Sequence, residues 1–416
     1  MSGRHILWLR NMLYLAGAFG LVVMALAACG NTTSPSNTPT TSGPIKIGIS
    51  LSLTGDFSAD GQAFKQGYTL WANDVNKAGG ILGRKVELTI LDDTSDPTQV
   101  VTNYNTLISQ DKVDLVLGPY SSLLTKPASA AVNRYKYAMI EGAGGAPSVF
   151  QQGLDNVFDV SLPVANNLLS FADWLIANAP KTTTIAYETE DDPFTQPQVD
   201  LARQKLEAAG FKTVDYNVYS AETTDFSPIA ARIIQSNAQV DILGTMLPDI
   251  VAEINAFRAQ HYNPEAIIAT AGPDQGSAFT NAVGSASEGI LVPNGWYPEA
   301  NNPGNAQMVQ EYVATYGGTY DGISADVAEA YSAGEVLAQA LTNAGSIDNA
   351  ALLKELHSGH TYKTVQGDVK FASDGENTAA MAYLFQWQGG NYLPVYPAGI
   401  VGGAKLEFPK PQWPTS

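Results

Sequence analysis

From Ile45 onward the chain alternates between short β-rich runs and amphipathic helical stretches, and that alternation leaves few folds open. IKIGISL (45–51) reads as a strand. AFKQGYTLWANDVNKAG follows, with Phe64, Tyr68, Trp71 and Val75 three or four apart, the spacing of one helical face. Gly79-Gly80 stops that helix. KVELTILDD alternates like a strand. DPTQVVTNYNTLISQ predicts a helix capped by Asp96, with Pro97 in the first turn, where a missing N–H costs nothing. DLVLGP, LTKPASAAVNRY and YAMIEG continue as strand, helix and strand. The alternation restarts near Pro163 with NNLLSFADWLIANA, TIAYETE, VDLARQKLEAAG and VDYNVYS, and runs on through SPIAARIIQSN, VDILGTM, DIVAEINAFRAQ and AIIATAG. Strands linked by crossover helices predict α/β units with parallel sheets between helices, here two in succession. From about Asn305 the chain is helix-rich: MVQEYVATYG, SADVAEAYSAGEVLAQALTNAG and NAALLKELHSG. VQGDVKFASDG and MAYLFQWQGGNYLPVYP close it as a β-rich pair around a Gly-Gly turn.

The residues before Ile45 read differently. Arg4 and Arg10 form a basic start, the uncharged run Asn11 to Ala28 is borderline for a membrane span, and small residues end it. These are the marks of a secretory signal over 1–28, an uncleaved anchor being the alternative. Cys29 is the only cysteine of the 416 residues and stands at the expected cleavage point, so the fold has no internal disulfide. NTTSPSNTPTTSGP (31–44) has no large apolar side chain to bury and reads as a tether, about 20 Å in root-mean-square span. The net charge of −18 opposes nucleic-acid binding, which needs Lys and Arg against phosphates, and opposes docking on anionic lipid.

Catalytic signatures are missing. There is no Walker A sequence, no G-x-S-x-G elbow and no H-E-x-x-H. His357 and His360, in HSGH, read as solvent-facing at a helix end, and a metal site needs more donors at set spacing. DDTSD (92–96) lacks the Gly and Glu of a calcium loop and reads as a strand end followed by a cap. GAGG (142–145) lacks dinucleotide-loop spacing. What remains is a set of strand-to-helix turns at the carboxyl ends of strands, where open α/β sheets bind ligands. In GPYSSLLT (118–125), helix-start N–H groups and the hydroxyls of Ser121, Ser122 and Thr125 suit a carboxylate. Ordinary capping by serine is the competing explanation.

In this order, SLTGDFSADGQAFKQG, NKAGGILGRKVELTILDD, SDPTQVV, DLVLGPYSS, TTDFSP and FQWQGG resemble the type I periplasmic-binding-fold solute-binding lipoproteins of ABC importers, in their branched-chain amino acid (Leu/Ile/Val) group. The resemblance covers about Ile45 to Pro397, and Leu26-Ala27-Ala28-Cys29 resembles the lipobox at which such lipoproteins are cleaved and acylated on Cys29. It implies two doubly wound, three-layer α/β lobes joined by three hinge strands. Residues 1–28 would be the signal peptide and 29–44 the lipidated cysteine and linker. Lobe one would be 45–163 with 296–381, and lobe two 164–295 with 382–416. The implied role is extracytoplasmic: a monomer, lipid-anchored on the outer face of the membrane or periplasmic, closing on a small solute and passing it to an ABC permease without a cofactor, metal or reaction.

The resemblance also assigns site residues. Ser122 would take a substrate carboxylate, with backbone groups from Ala143 to Gly145 beside it, although Gly145 stands where such proteins usually carry a threonine. Phe194 and Met246 fall where lobe-two tyrosines are usual, Asp274 where an acid holds the substrate ammonium, and Asp60 at a side-chain-pocket aromatic. Tyr120, Trp296 and Asp326 are further candidates. Core packing would equally explain Phe194 and Met246, capping Asp274 and Asp60, and hinge packing Trp296. The implied ligand is a branched-chain or related amino acid, with an aromatic acid, amide or urea-like solute as alternative. A ligand-sensing co-receptor and a secreted enzyme are the competing functions.

Overall fold

The computed structural model describes residues 43–413, so the expected signal peptide, Cys29 and nearly all of the expected tether lie outside the described residues. The first unit runs β1 (Ile45–Leu51), α1 (Ser58–Lys77), β2 (Val86–Asp92), α2 (Pro97–Ser109), β3 (Leu115–Leu117), α3 (Ser122–Asn133), β4 (Met139–Glu141), α4 (Pro147–Phe150) and β5 (Val157–Asp159). Its five strands form a parallel sheet in the order β2-β1-β3-β4-β5. Local chemistry sets the boundaries. Asp96 caps α2 by accepting from the N–H groups of Thr98 and Gln99, and Pro97 follows it, as the sequence predicts.

The second unit runs α5 (Leu169–Asn178), β6 (Thr184–Glu190), α6 (Thr195–Ala208), β7 (Lys212–Tyr219), α7 (Ser227–Ser236), β8 (Val240–Gly244), α8 (Leu247–Ala259), β9 (Ala266–Ala269), α9 (Ser277–Val283) and β10 (Leu291–Asn294). The chain then returns to the first unit with α10 (Asn305–Tyr316), α11 (Ala325–Ala344), α12 (Asn349–Leu356) and the hairpin β11 (Tyr362–Thr364) and β12 (Gly367–Val369). It crosses once more to add β13 (Tyr383–Gln388) and β14 (Asn391–Tyr396) to the second sheet, whose order is β14-β13-β10-β9-β8-β6-β7. The Gly389-Gly390 turn joins β13 to β14, both glycines at positive φ. VQGDVKFASDG does not pair with that hairpin. Its strand β12 finds β11 instead, because Thr364 to Gly367 already make a tight turn between them.

These two α/β lobes thus exchange chain three times. The largest contact of the first lobe is α1 against α11, made close by glycine. A Cβ at Gly67 would run into the Val327 carbonyl, and one at Gly334 into the Trp71 indole. Of the helical stripe read from sequence, Phe64, Tyr68 and Trp71 are buried there and Val75 packs against them half-buried. The second lobe packs Leu168, Phe171, Val199 and Leu206 on one side of its sheet and Ile250, Ile254, Phe257 and Phe279 on the other.

Candidate functional site

The carboxyl ends of the parallel strands of both sheets open onto one cleft, which holds about 740 Å³ of free space with the solvent at its mouth included. Its first-lobe wall is built by the turns after β3, β4 and β5 and by the start of α11. Tyr120 lines it, held between the rings of Phe57 and Phe64 at centroid distances of 5.9 and 5.4 Å. Ser121 begins α3 but makes no capping bond. The hydroxyls of Ser121, Ser122 and Thr125 are all buried without a partner among the described residues. Capping therefore does not explain these residues. Buried hydroxyls are nearly always hydrogen-bonded, so three unmatched ones on one helix start mark a place built to receive a partner. Only Ser121 lines the cleft. Ser122 and Thr125 lie fully buried behind it, Thr125 under Gly144, where a Cβ would strike it.

The next turn corrects an expectation. Ala143 and Gly145 line the cleft, but the N–H groups of Ala143 and Gly144 donate inward to Oε2 of the buried Glu141, the former at 2.8 Å. At Gly145 a Cβ would collide with Asp159 Oδ2, so glycine there admits a carboxylate rather than merely omitting a hydroxyl. Asp159 Oδ1 accepts from the Ser161 N–H at 2.8 Å, and its Oδ2 has no partner. Asp326 accepts from the Ser324 hydroxyl at 2.8 Å. Glu329, one helical turn along the same face of α11, also lines the cleft.

On the second-lobe wall, Phe194 is half-buried at the start of α6 and faces the cleft, so it is not simply core. Its N–H donates to Asp192 Oδ1 at 2.7 Å. Thr270 is tied to Thr245 by bonds of 2.9 and 2.8 Å. Asp274 accepts from the Gly272 N–H at 2.9 Å and does not cap α9, whose start is Gly276. Gln275 donates across the cleft to Asp60 and lies 3.4 Å from Asp326. Asp60 sits in the first turn of α1, behind that amide rather than on the cleft wall. Met246 opens α8 and is not part of the wall. Trp296 is buried in the first-lobe core, donates to Asn305 at 2.7 Å, and borders an adjoining hollow that shares Asp274 with the cleft.

Asp159, Asp274, Asp326 and Glu329 thus line one space, and no lysine or arginine lines it among the described residues. Burial pushes Asp159 and Asp274 up to about 7, with Asp326 adding to the effect at Asp274. Burial, then neighbouring carboxylates, raises Asp60, Glu141 and Glu329 well above the ordinary range. Glu141, Asp159 and Glu329 were missed by sequence reasoning. The available signal was the pair Asp326 and Glu329, two acids three apart on a helix of mostly small and apolar residues. DDTSD behaves as read: Asp93 accepts from Ser50 and Ser52, and Asp96 caps α2. Burial works against Asp92, but bonds from Thr94, Thr54 and Leu53 prevail and hold it below the usual range. His357 and His360 are exposed.

A family model described as periplasmic binding protein matches residues 44–391. Leu/Ile/Val-binding protein homolog 1 of Brucella melitensis is 28% identical over 353 residues, covering 83% of this chain and 91% of that protein. An amino acid binding protein of Pseudomonas aeruginosa is 27% identical over 346 residues, covering 82% and 90%. Among solved structures, a leucine binding protein from Thermotoga maritima superposes with a TM-score of 0.75 at 21% identity, covering 84% of this chain and 97% of that one. A branched-chain amino acid transporter substrate binding protein from Streptococcus pneumoniae, in complex with isoleucine, gives 0.74 at 19% identity, covering 88% and 100%.

Proposed function

Because this chain belongs to the periplasmic binding protein family, we propose that it captures a small amino-acid-like solute outside the cytoplasm by closing its two lobes and hands it to an ABC-type permease. The carrying observation is the cleft itself. The carboxyl ends of the parallel strands of two sheets face each other across it, and Ser121, which lines it, has an unmatched buried hydroxyl. The names of the relatives support an amino acid as ligand. Asp274 is the group to hold a ligand ammonium, Phe194 an apolar wall, and Ser121, backed by Ser122 and Thr125, the hydroxyl face. The lobes that move are 45–163 with 296–381 and 164–295 with 382–416, and a ligand drives closure only through its preference for the closed state. Acylation of Cys29 would leave the monomeric body on a short leash beside its permease, two or more acyl chains being enough for stable anchoring.

The test is a thermal-shift panel on the purified mature chain with aliphatic, basic and aromatic amino acids, amides, urea and benzoate, alongside native mass spectrometry of the freshly isolated protein. A melting rise with at least one amino-acid-like solute, or a co-purified small molecule, is expected. No shift with any member and no retained molecule would refute capture. Anchoring is tested separately: Cys29→Ser should release the protein from the membrane fraction, and retention there would exclude the lipid leash.

A further inference from the structure

The first-lobe wall offers acceptors where an acid-binding wall would offer donors. Ala143 and Gly144 spend their N–H groups on Glu141. Asp159, 1% exposed, places an unmatched Oδ2 in the space that a side chain at residue 145 would fill. Glu329 lines the same cleft and receives no hydrogen bond from the described residues, and it lies close enough to feel the charge of Asp159. Across the gap stands Asp274, and no cationic side chain lines the space between them. The observation independent of the acids is Ser121, 2% exposed, whose unmatched hydroxyl faces the same cleft.

An aliphatic amino acid would use one of these carboxyl groups and leave the others facing hydrocarbon, and buried polar groups left unpaired are expensive. A carboxylic acid without an ammonium would find no cation to pair with, and it would offer these buried carboxyl groups nothing against which to release their protons. We infer that the ligand is an aliphatic amine bearing a second cationic group, ammonium or guanidinium, with Asp274 receiving one cation and Asp159 with Glu329 the other. This rests on the capture reading and narrows its solute class. Two sources share that chemistry: basic amino acids, whose carboxylate would turn to Ser121, and diamines, which have none.

The experiment is calorimetric titration of the mature protein with lysine, arginine, putrescine, agmatine, leucine and benzoate. At least one of the four cations should bind 100-fold or more tighter than leucine, and benzoate should not bind. Tight lysine or arginine with weak putrescine and agmatine names basic amino acids; the reverse names diamines. Asp159→Asn and Glu329→Gln should each weaken the best cation about 10- to 100-fold, the range for a lost charge-assisted bond, and cost leucine, which brings only one cation, a smaller factor. Their apo melting temperatures should not fall, because the amide oxygen left by Asp159→Asn can still accept from the Ser161 N–H and Glu329 has no hydrogen bond among the described residues to lose. Leucine binding as well as or better than every cation overturns the inference and leaves capture intact. Binding of no probe at all overturns the inference, capture itself being decided by the wider thermal-shift panel and native mass spectrometry, and unchanged cation affinity in both variants removes Asp159 and Glu329 from the site.

Discussion

The first-lobe wall of the cleft keeps buried polar atoms uncommitted, whereas the polar groups of the second-lobe wall hold its own loops. Ser121 Oγ and Asp159 Oδ2 have no partner, although both residues are almost fully buried. Opposite them, Thr270 is tied to Thr245, Asp192 to the start of α6, and Asp274 to Gly272. A wall with free, immobile groups is organised to recognise a ligand before contact, since little ordering remains to be done on binding. A wall whose groups hold its own loops is organised to stay rigid while it moves. The difference suggests that recognition sits on the first lobe and closure on the second.

The largest expected effect is on stability. Asp159, pushed up to about 7 by burial, keeps its proton in the folded chain at pH values where the unfolded chain has released it. Between roughly pH 4 and 7 the folded state therefore holds more protons, and stability falls as pH rises through that window. At about 1.4 kcal/mol per unit, Asp159 contributes a loss on the order of 4 kcal/mol by pH 8. Glu141, Asp326 and Glu329 around it, and Glu376 beyond, act in the same direction. Apo melting temperature should thus be higher at pH 5 than at pH 8. Asp159→Asn should flatten this profile more than Asp274→Asn, because Asp159 is almost fully buried whereas Asp274 is half-buried and better screened by solvent. Equal flattening would erase the contrast between the walls.

Next in size is Asp274, the one carboxylate that the second-lobe wall presents to the cleft. Asp274→Asn should cost a ligand with an ammonium group about 1.5–3 kcal/mol, the range for a hydrogen bond to a charged group. A ligand lacking the ammonium should lose little. Equal losses for both would mean that Asp274 only shapes its loop.

Ser121 and Ser122 test the first wall from within. Ser121→Ala should weaken a carboxylate-bearing ligand by about 1–1.5 kcal/mol, with apo stability unchanged or raised, since an unmatched hydroxyl is removed. Ser122→Ala should raise apo stability in the same way and alter affinity less. A larger affinity loss at Ser122 would show that the loop turns over on binding and presents the residue that the family resemblance points to.

The legible and illegible parts divide along chain distance. Strand–helix alternation, the Asp96 cap and the Gly389-Gly390 turn depend on neighbours within a few residues, so sequence periodicity exposes them. The turn after β3 was legible as a site because strand ends are where such sheets bind ligands. Its serines, for which ordinary capping is the competing explanation from sequence, cap nothing. Glu141, Asp159 and Glu329 were illegible because they come together from β4, β5 and α11, and no local pattern announces that meeting. Gly145 read as a lost hydroxyl; only the fold reveals Asp159 in its place.

The smallest effect concerns Gln275, the neutral group that the second-lobe wall sends across to Asp60 and Asp326. Its amide bonds exist only while the lobes face each other closely, so they favour the closed state whatever the ligand. Gln275→Ala removes one such bond, about 0.5–1 kcal/mol net. Because both walls keep their ligand contacts, the loss should fall on dissociation rate rather than on ligand choice. Every ligand that binds should weaken by the same two- to fivefold factor, and the ranking among ligands should stay fixed. A changed ranking would place Gln275 among the recognition groups and move part of recognition to the second lobe, against the division between the walls. An unchanged affinity would mean that closure is driven by the ligand's own contacts alone.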